Sequence, residues 1–194
     1  MDRRGLDFYS LLDMPRFSPS AELAHLRRLN TELAELVEMD ESLLVRPATS
    51  ISGWTALQHA AHMMLANELV LRNLRNLVKG SGLFVVTEAQ QSAEALSALE
   101  RGDLRRGQAK APRMVVPPAD VDRATVAQWI AEIGRDLAAF ERELPIDLPR
   151  AFVPHQILGP LDASEWARFG VVHTAHHLVI AREVLAAVGA LQRG

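Results

Sequence analysis

The sequence contains no cysteine, which excludes disulfide bonds, thiolate metal ligands and cysteine nucleophiles. Any metal site must therefore be built from nitrogen and oxygen ligands. The chain also lacks a Gly-x-Ser-x-Gly motif and a glycine-rich phosphate loop. These absences disfavour serine-based catalysis of that type and nucleotide-dependent chemistry.

An excess of positive charge is missing as well, since the 194 residues include 21 Lys and Arg against 24 Asp and Glu. Without a basic face, nucleic acid is not an expected partner. We find no continuous apolar run near the roughly 20 residues that span a bilayer, and the first residues do not resemble a signal peptide. The expectation is a soluble, cytoplasmic protein without membrane contact.

Apolar residues at helical spacing predict four long helices, at about 18–40, 55–79, 121–144 and 162–191. The first begins at Ser18-Pro19, a capping hydroxyl followed by proline at the first helical position. Thr55-Ala56-Leu57-Gln58 and Asp162-Ala163-Ser164-Glu165 are capping boxes at the starts of the second and fourth helices. Gly80 and Pro145 end the second and third.

The segment between the second and third helices, about 80–120, is predicted to be a long crossover. Residues 88–102 are helix-like, whereas Pro112, Pro117 and Pro118 favour extended chain. A link of this length allows the helices that it joins to be parallel neighbours. Since period-two alternation is scarce, the fold class is predicted to be all-α, a four-helix bundle in a single domain over 1–194.

The fourth predicted helix carries two histidines where core residues are expected. His173 and His177 continue one stripe with Gly170, Ile180 and Val184. Their Cβ atoms are expected roughly 6 Å apart, so the two rings can bind one cation. The alternative is a pair of core histidines whose ring nitrogens are satisfied by hydrogen bonds.

A further imidazole is available on the second predicted helix, where His62 shares a stripe with Leu65 and Leu69. With His173 and His177 it would form a three-nitrogen site that leaves a coordination position for water or substrate. Zinc suits such ligands, and nickel, iron and manganese are compatible with them. A di-iron carboxylate site is rejected, because it needs two Glu-x-x-His motifs and the chain has one, at 22–25.

The eight-residue spacing of Trp54 and His62, together with the His-x-x-x-His of His173 and His177, resembles the DinB/YfiT-like superfamily of four-helix bundles. Members typically pair one histidine on the second helix with such a motif on the last helix. The resemblance implies that His62, His173 and His177 bind a divalent transition metal, zinc or nickel before iron or manganese.

Residues 155–161, Glu165-Trp166 and 173–178 look more specifically like a branch of that superfamily with no assigned activity. That branch usually has proline, arginine and glutamine where this chain has Gln156, Val179 and Ile180. Any role of the branch's arginine or glutamine is therefore not expected here, whereas the histidines are retained.

The resemblance implies a metal-dependent transferase of the thiol type, or a hydrolase, acting on a small-molecule substrate. A general base is not identified, and His59, Glu68 and His176 are the candidates. Glu68 is expected at the surface, and so is His155. The alternative is a stress-associated binding or interaction module on the same bundle that does no chemistry. The Leu- and Ala-rich stretch 185–191 suggests a homodimer.

Overall fold

Long helices dominate the computed structural model, which describes residues 17–102, 104–107 and 109–191. The helices are α1 (Pro19–Val37), α2 (Glu41–Leu44), α3 (Ala56–Lys79), α4 (Ala93–Arg101), α5 (Arg123–Glu143) and α6 (Ala163–Leu191), with a 3₁₀ turn at Arg113–Val115. The four predicted helices are α1, α3, α5 and α6, and the all-α fold class is confirmed. Residues 88–102 are helical only from Ala93, where the Ser92 side chain caps α4.

Both predicted capping boxes are formed. Thr55 Oγ1 accepts the Gln58 N–H at 3.2 Å, and Gln58 Oε1 accepts the Thr55 N–H at 3.0 Å. At α6 the Asp162 and Glu165 carboxylates accept each other's backbone N–H at 2.9 and 2.8 Å. Ser18 differs from the prediction, because it occupies the N-cap of α1 without a side-chain hydrogen bond. These caps fix the first residues of α3 and α6. They therefore also fix which turns of the two helices carry the histidines.

The long helices pack in a ring in which α6 contacts α1 and α3, and α5 contacts the same two helices. Gln58 near the start of α3 bonds the Ala119 carbonyl just before α5. Further along, Arg75 pairs with Asp136 at 3.0 Å. The helices α3 and α5 are therefore parallel neighbours, as the long crossover between them allows.

Helix α6 lies deep in the bundle and approaches its neighbours closely at Gly170. A Cβ atom there would lie 3.2 Å from Val70 on α3 and 3.3 Å from Leu26 on α1. Helix α6 has no continuous apolar run near roughly 20 residues, because Glu165, Arg168, Arg182 and Glu183 interrupt it. By length and mean hydropathy alone it is nevertheless apolar enough to cross a membrane. However, 56% of its apolar window is buried inside the fold, and burial of this kind is typical of a soluble protein's core helix.

A short hairpin that the sequence did not predict precedes α6. Strands β1 (Val153–His155) and β2 (Gly159–Leu161) pair antiparallel, and Trp166 donates its indole N–H to the Val153 carbonyl at 3.0 Å. Strands of three residues are too short to show period-two alternation. The hairpin packs against the start of α6 and places His155 near the aromatic residues of that helix.

Candidate metal centre

Helices α3 and α6 bring three histidine rings together in the bundle. Candidate ligand nitrogens of His62, His173 and His177 all lie within 4.8 Å of one another. Nε2 of His62 is 3.2 Å from Nε2 of His173, and the His177 ring centroid lies 4.4 and 4.6 Å from those of His62 and His173. The antiparallel contact of the two helices therefore assembles the three residues selected from the sequence.

The spacing of these nitrogens suits a shared metal ion. Imidazole nitrogens bound tetrahedrally at about 2.0–2.1 Å from zinc are separated by about 3.3 Å. The 3.2 Å between the Nε2 atoms of His62 and His173 is close to that separation. An all-imidazole set is equally compatible with nickel, iron and manganese. The cluster can thus hold a metal ion, and its donor types leave the choice of metal open.

Burial favours the neutral form of all three rings. It lowers the pKa of His62, and it lowers the pKa of His173 and of His177 well below the usual value, with the neighbouring histidines adding to the effect on the last two. A neutral imidazole offers a lone pair to a metal, whereas a protonated one does not. The cluster therefore needs no change of charge to bind a cation.

The crossover fixes the tautomer of His62. Its Nδ1–H donates to the Val115 carbonyl at 2.7 Å, so that Nε2 keeps its lone pair. Val115 is buried in the 3₁₀ turn, and the Trp54 ring lies 4.9 Å from the His62 ring. A metal-binding histidine commonly donates its other N–H to a carbonyl in this way. The lone pair of His62 is thereby directed to the side where His173 lies.

His177 is held by a fourth histidine. Nδ1 of His177 lies 3.1 Å from Nδ1 of His59, and Nε2 of His59 lies 2.8 Å from Ser52 Oγ. Burial lowers the pKa of His59 to about 4, so this ring is neutral as well. Both nitrogens of His59 are engaged, which leaves no nitrogen for the role of general base suggested for it from the sequence.

His173 lacks such a partner. Its Nδ1 is buried, and no residue that the structure describes bonds to it. The Phe169 ring lies 5.2 Å from the His173 ring and packs against it. Apolar contact, instead of a hydrogen bond, therefore orients this member of the cluster.

The other candidates from the sequence lie outside the cluster. Glu68 is exposed, as expected. His176 is half-buried, with its ring 5.1 Å from that of His177. His155 is also half-buried, which differs from the surface position predicted for it; its Nδ1 accepts two backbone N–H groups, and Phe169 lies between it and the cluster.

Two contributors were not recognised from the sequence. Ser52 lies just before the Trp54-Thr55 start of α3, and this proximity was an available signal. The Val115 carbonyl left no signal, because a backbone acceptor can belong to any residue type and depends on where the crossover lies.

Comparison with known proteins places the chain in a family. A model described as the DinB superfamily matches residues 22–181. The chain belongs to the DinB superfamily. The DinB match includes Trp54 and the three clustered histidines, so the resemblance seen in the sequence is confirmed. No curated protein and no solved structure gives a significant match.

A surface cavity lies away from the histidines of this DinB bundle. It has a volume of about 260 Å³ and lies between α1 and α5. Its lining includes Asn30, Ile130 and Gly134, and no histidine is among the lining residues. This cavity therefore does not adjoin the candidate metal centre.

Proposed function

We propose that His62, His173 and His177 bind one divalent transition metal, with zinc or nickel preferred over iron or manganese. The observation that carries the proposal is the convergence of three neutral imidazoles from α3 and α6, with Nε2 of His62 and of His173 3.2 Å apart. Membership of a superfamily whose members bind metals supports it. Three protein ligands would leave a position for water or substrate, as catalytic metal sites do.

With that metal, the protein would be a transferase of the thiol type, or a hydrolase, acting on a small molecule. A metal in such a site supplies a Lewis acid that lowers the pKa of a bound water or thiol. The three histidines hold it, and Trp54 shields the His62 side of the cluster. His176, half-buried beside His177, is the remaining candidate for moving a proton, because Glu68 is exposed and both nitrogens of His59 are engaged.

Metal content tests the binding proposal. Protein purified without a nickel column should contain about one equivalent of transition metal by elemental analysis. The variant His62→Ala/His173→Ala should contain almost none. A matched variant, His25→Ala/His155→Ala, removes two histidines outside the cluster and should retain the wild-type content. Equal, negligible metal in the wild type and the His62→Ala/His173→Ala variant would show that the site is wrongly assigned.

One observation favours a different function, that of a non-catalytic, stress-associated binding or interaction module. His62 is only 2% exposed, and the Trp54 ring lies 4.9 Å from its ring, so side chains cover this side of the cluster. Low-molecular-weight thiols, each paired with electrophilic acceptors, can be screened against the metal-loaded protein. Turnover that the His62→Ala/His173→Ala variant lacks supports the enzyme. A protein that retains metal and turns over none of these pairs supports the module.

We also propose a cytoplasmic homodimer. Leu185 and Val188 are buried in the chain's own core, which leaves Ala186 and Ala190 exposed on the same stretch of α6. A contact between two copies would therefore use these small residues. Sedimentation should give twice the chain mass at tens of micromolar, and a monomer at that concentration would contradict the dimer.

A further inference from the structure

His59 lies between one member of the cluster and the loop that precedes α3. Its Nδ1 is 3.1 Å from Nδ1 of His177, and its Nε2 is 2.8 Å from Ser52 Oγ. The Trp54 N–H donates to the same Ser52 oxygen at 3.1 Å. A continuous line of hydrogen bonds therefore runs from the backbone at Trp54 to the ring of His177.

A neutral imidazole carries one N–H, so neutral rings along this line can place their protons in two arrangements. In the first, Ser52 donates to His59, His59 donates from Nδ1 to His177, and the proton of His177 is on Nε2. In the second, His177 donates from Nδ1 to His59, His59 donates from Nε2 to Ser52, and Nε2 of His177 keeps its lone pair.

Only the second arrangement presents a ligand to the cluster. Nδ1 of His177 faces His59, so Nε2 is the nitrogen left for His62 and His173. A proton on Nε2 would block coordination there. Ser52 can accept both the Trp54 N–H and the His59 Nε2–H, because a hydroxyl oxygen has two lone pairs.

We propose that His59 is a positioning residue for the metal, and that Ser52 in turn orients His59. By accepting the Nδ1–H of His177, His59 selects the tautomer and the ring orientation that direct Nε2 of His177 to the cation. The inference rests on the proposed metal site and adds a residue that does not itself bind the ion. Partners of this kind are worth roughly 10- to 100-fold in metal affinity.

The test measures the dissociation constant for Co²⁺ by titration, with its visible absorption spectrum, in full-length protein. His59→Phe keeps a ring without the acceptor and should weaken binding about 10- to 100-fold, with an altered spectrum. His59→Gln restores an acceptor oxygen and should recover part of the affinity. His25→Phe makes the same change on α1, away from the cluster, and should bind as the wild type does.

A second readout reports the protons directly. Long-range ¹H–¹⁵N spectra of the Zn²⁺-loaded protein should place the proton of His177 on Nδ1 and that of His59 on Nε2. The opposite assignment for His59 overturns the proposal even if His59→Phe does not fold.

The affinities separate this proposal from the metal site itself. Wild-type protein that binds no Co²⁺ overturns both. Tight binding by the wild type and by His59→Phe alike, with identical spectra, overturns only the role of His59.

Discussion

Helix α6 contributes to two buried polar centres that differ in kind. One is the histidine cluster, which α6 shares with α3. The other is Arg168, fully buried, whose Nη1 lies 3.5 Å from Glu22 Oε1 on α1. Arg168 also donates to the carbonyls of Leu99 and Glu100 at 3.0 and 3.1 Å, which ties α6 to α4.

The two centres show that burial of polar groups does not by itself indicate a functional site. Around Arg168 the donors point at carbonyls and a carboxylate of the same chain, so the guanidinium joins α6 to α4 and α1. In the histidine cluster, by contrast, Nε2 of His62 keeps its lone pair and lies 3.2 Å from Nε2 of His173. Two ring nitrogens this close need a proton on one of them or a cation between them, and this need distinguishes the candidate site from the structural pair.

Removing Arg168 should have the largest effect on stability. Arg168→Met leaves Glu22 buried without its cation and should lower the free energy of unfolding by about 3–5 kcal/mol. Urea denaturation measures the change. Glu22→Leu/Arg168→Met, which removes both charges, should recover most of the loss. Metal content should stay at the wild-type level in the folded variants, and a loss of metal on Arg168→Met would mean that the two centres are coupled.

The next largest effect should come from the metal itself. An ion that binds only the folded state stabilises it by about 2.7 kcal/mol at a hundredfold excess over its dissociation constant. Zn²⁺ should therefore raise the urea midpoint of the wild type and of Glu22→Leu/Arg168→Met, and EDTA should reverse the rise. For His177→Ala we expect no such increase. An equal increase in His177→Ala would place the metal elsewhere.

Substitution of Thr174 should have a smaller effect on the free energy of unfolding. This residue adjoins His173 in sequence but does not belong to the cluster. Its Oγ1 donates to Asn67 Oδ1 at 3.1 Å, and both residues are fully buried. Thr174→Val should cost about 1–3 kcal/mol, because Asn67 loses its bonded donor. Its Zn²⁺-dependent rise in urea midpoint should match that of the wild type. A reduced rise would show that this bond also supports the histidines.

The smallest effect should be a change in pH dependence at Glu22. Burial raises the pKa of Glu22 above its ordinary 4.5, against the lowering effect of Arg168. The folded protein thus holds this proton more firmly than the unfolded chain, and the associated stability is lost as pH rises through the folded pKa. As the pH rises above about 4.5, the urea midpoint of Glu22→Gln should increase relative to that of the wild type. A constant or falling difference in urea midpoints would contradict the shifted pKa.

The sequence predicted the features that are local to one helix better than the contacts between distant parts of the chain. The capping boxes at Thr55 and Asp162 gave the starts of α3 and α6, because caps are local in sequence. The i, i+4 relation of His173 and His177 then placed both rings on one face of α6. These local rules predicted that His173 and His177 would lie together, and the resemblance selected His62 over His59 as the third candidate ligand.

The remainder depends on tertiary contacts that leave little trace in sequence. Val115 reaches His62 from 53 residues away through its backbone carbonyl. Arg168 finds its acceptors at the end of α4, and nothing about an arginine among apolar residues predicts which carbonyls it meets. Ser52 is nearer to the motif, yet its role depends on the side that His59 faces.

X-ray absorption at the metal edge tests the central claim most directly. Protein loaded with one equivalent of Zn²⁺ should show three imidazole nitrogens at about 2.0–2.1 Å and one further light ligand. The His62→Ala/His173→Ala variant, loaded in the same way, should lose that imidazole signature. A wild-type spectrum dominated by oxygen ligands without imidazole scattering, or one unchanged in the variant, would contradict a metal site formed by His62, His173 and His177.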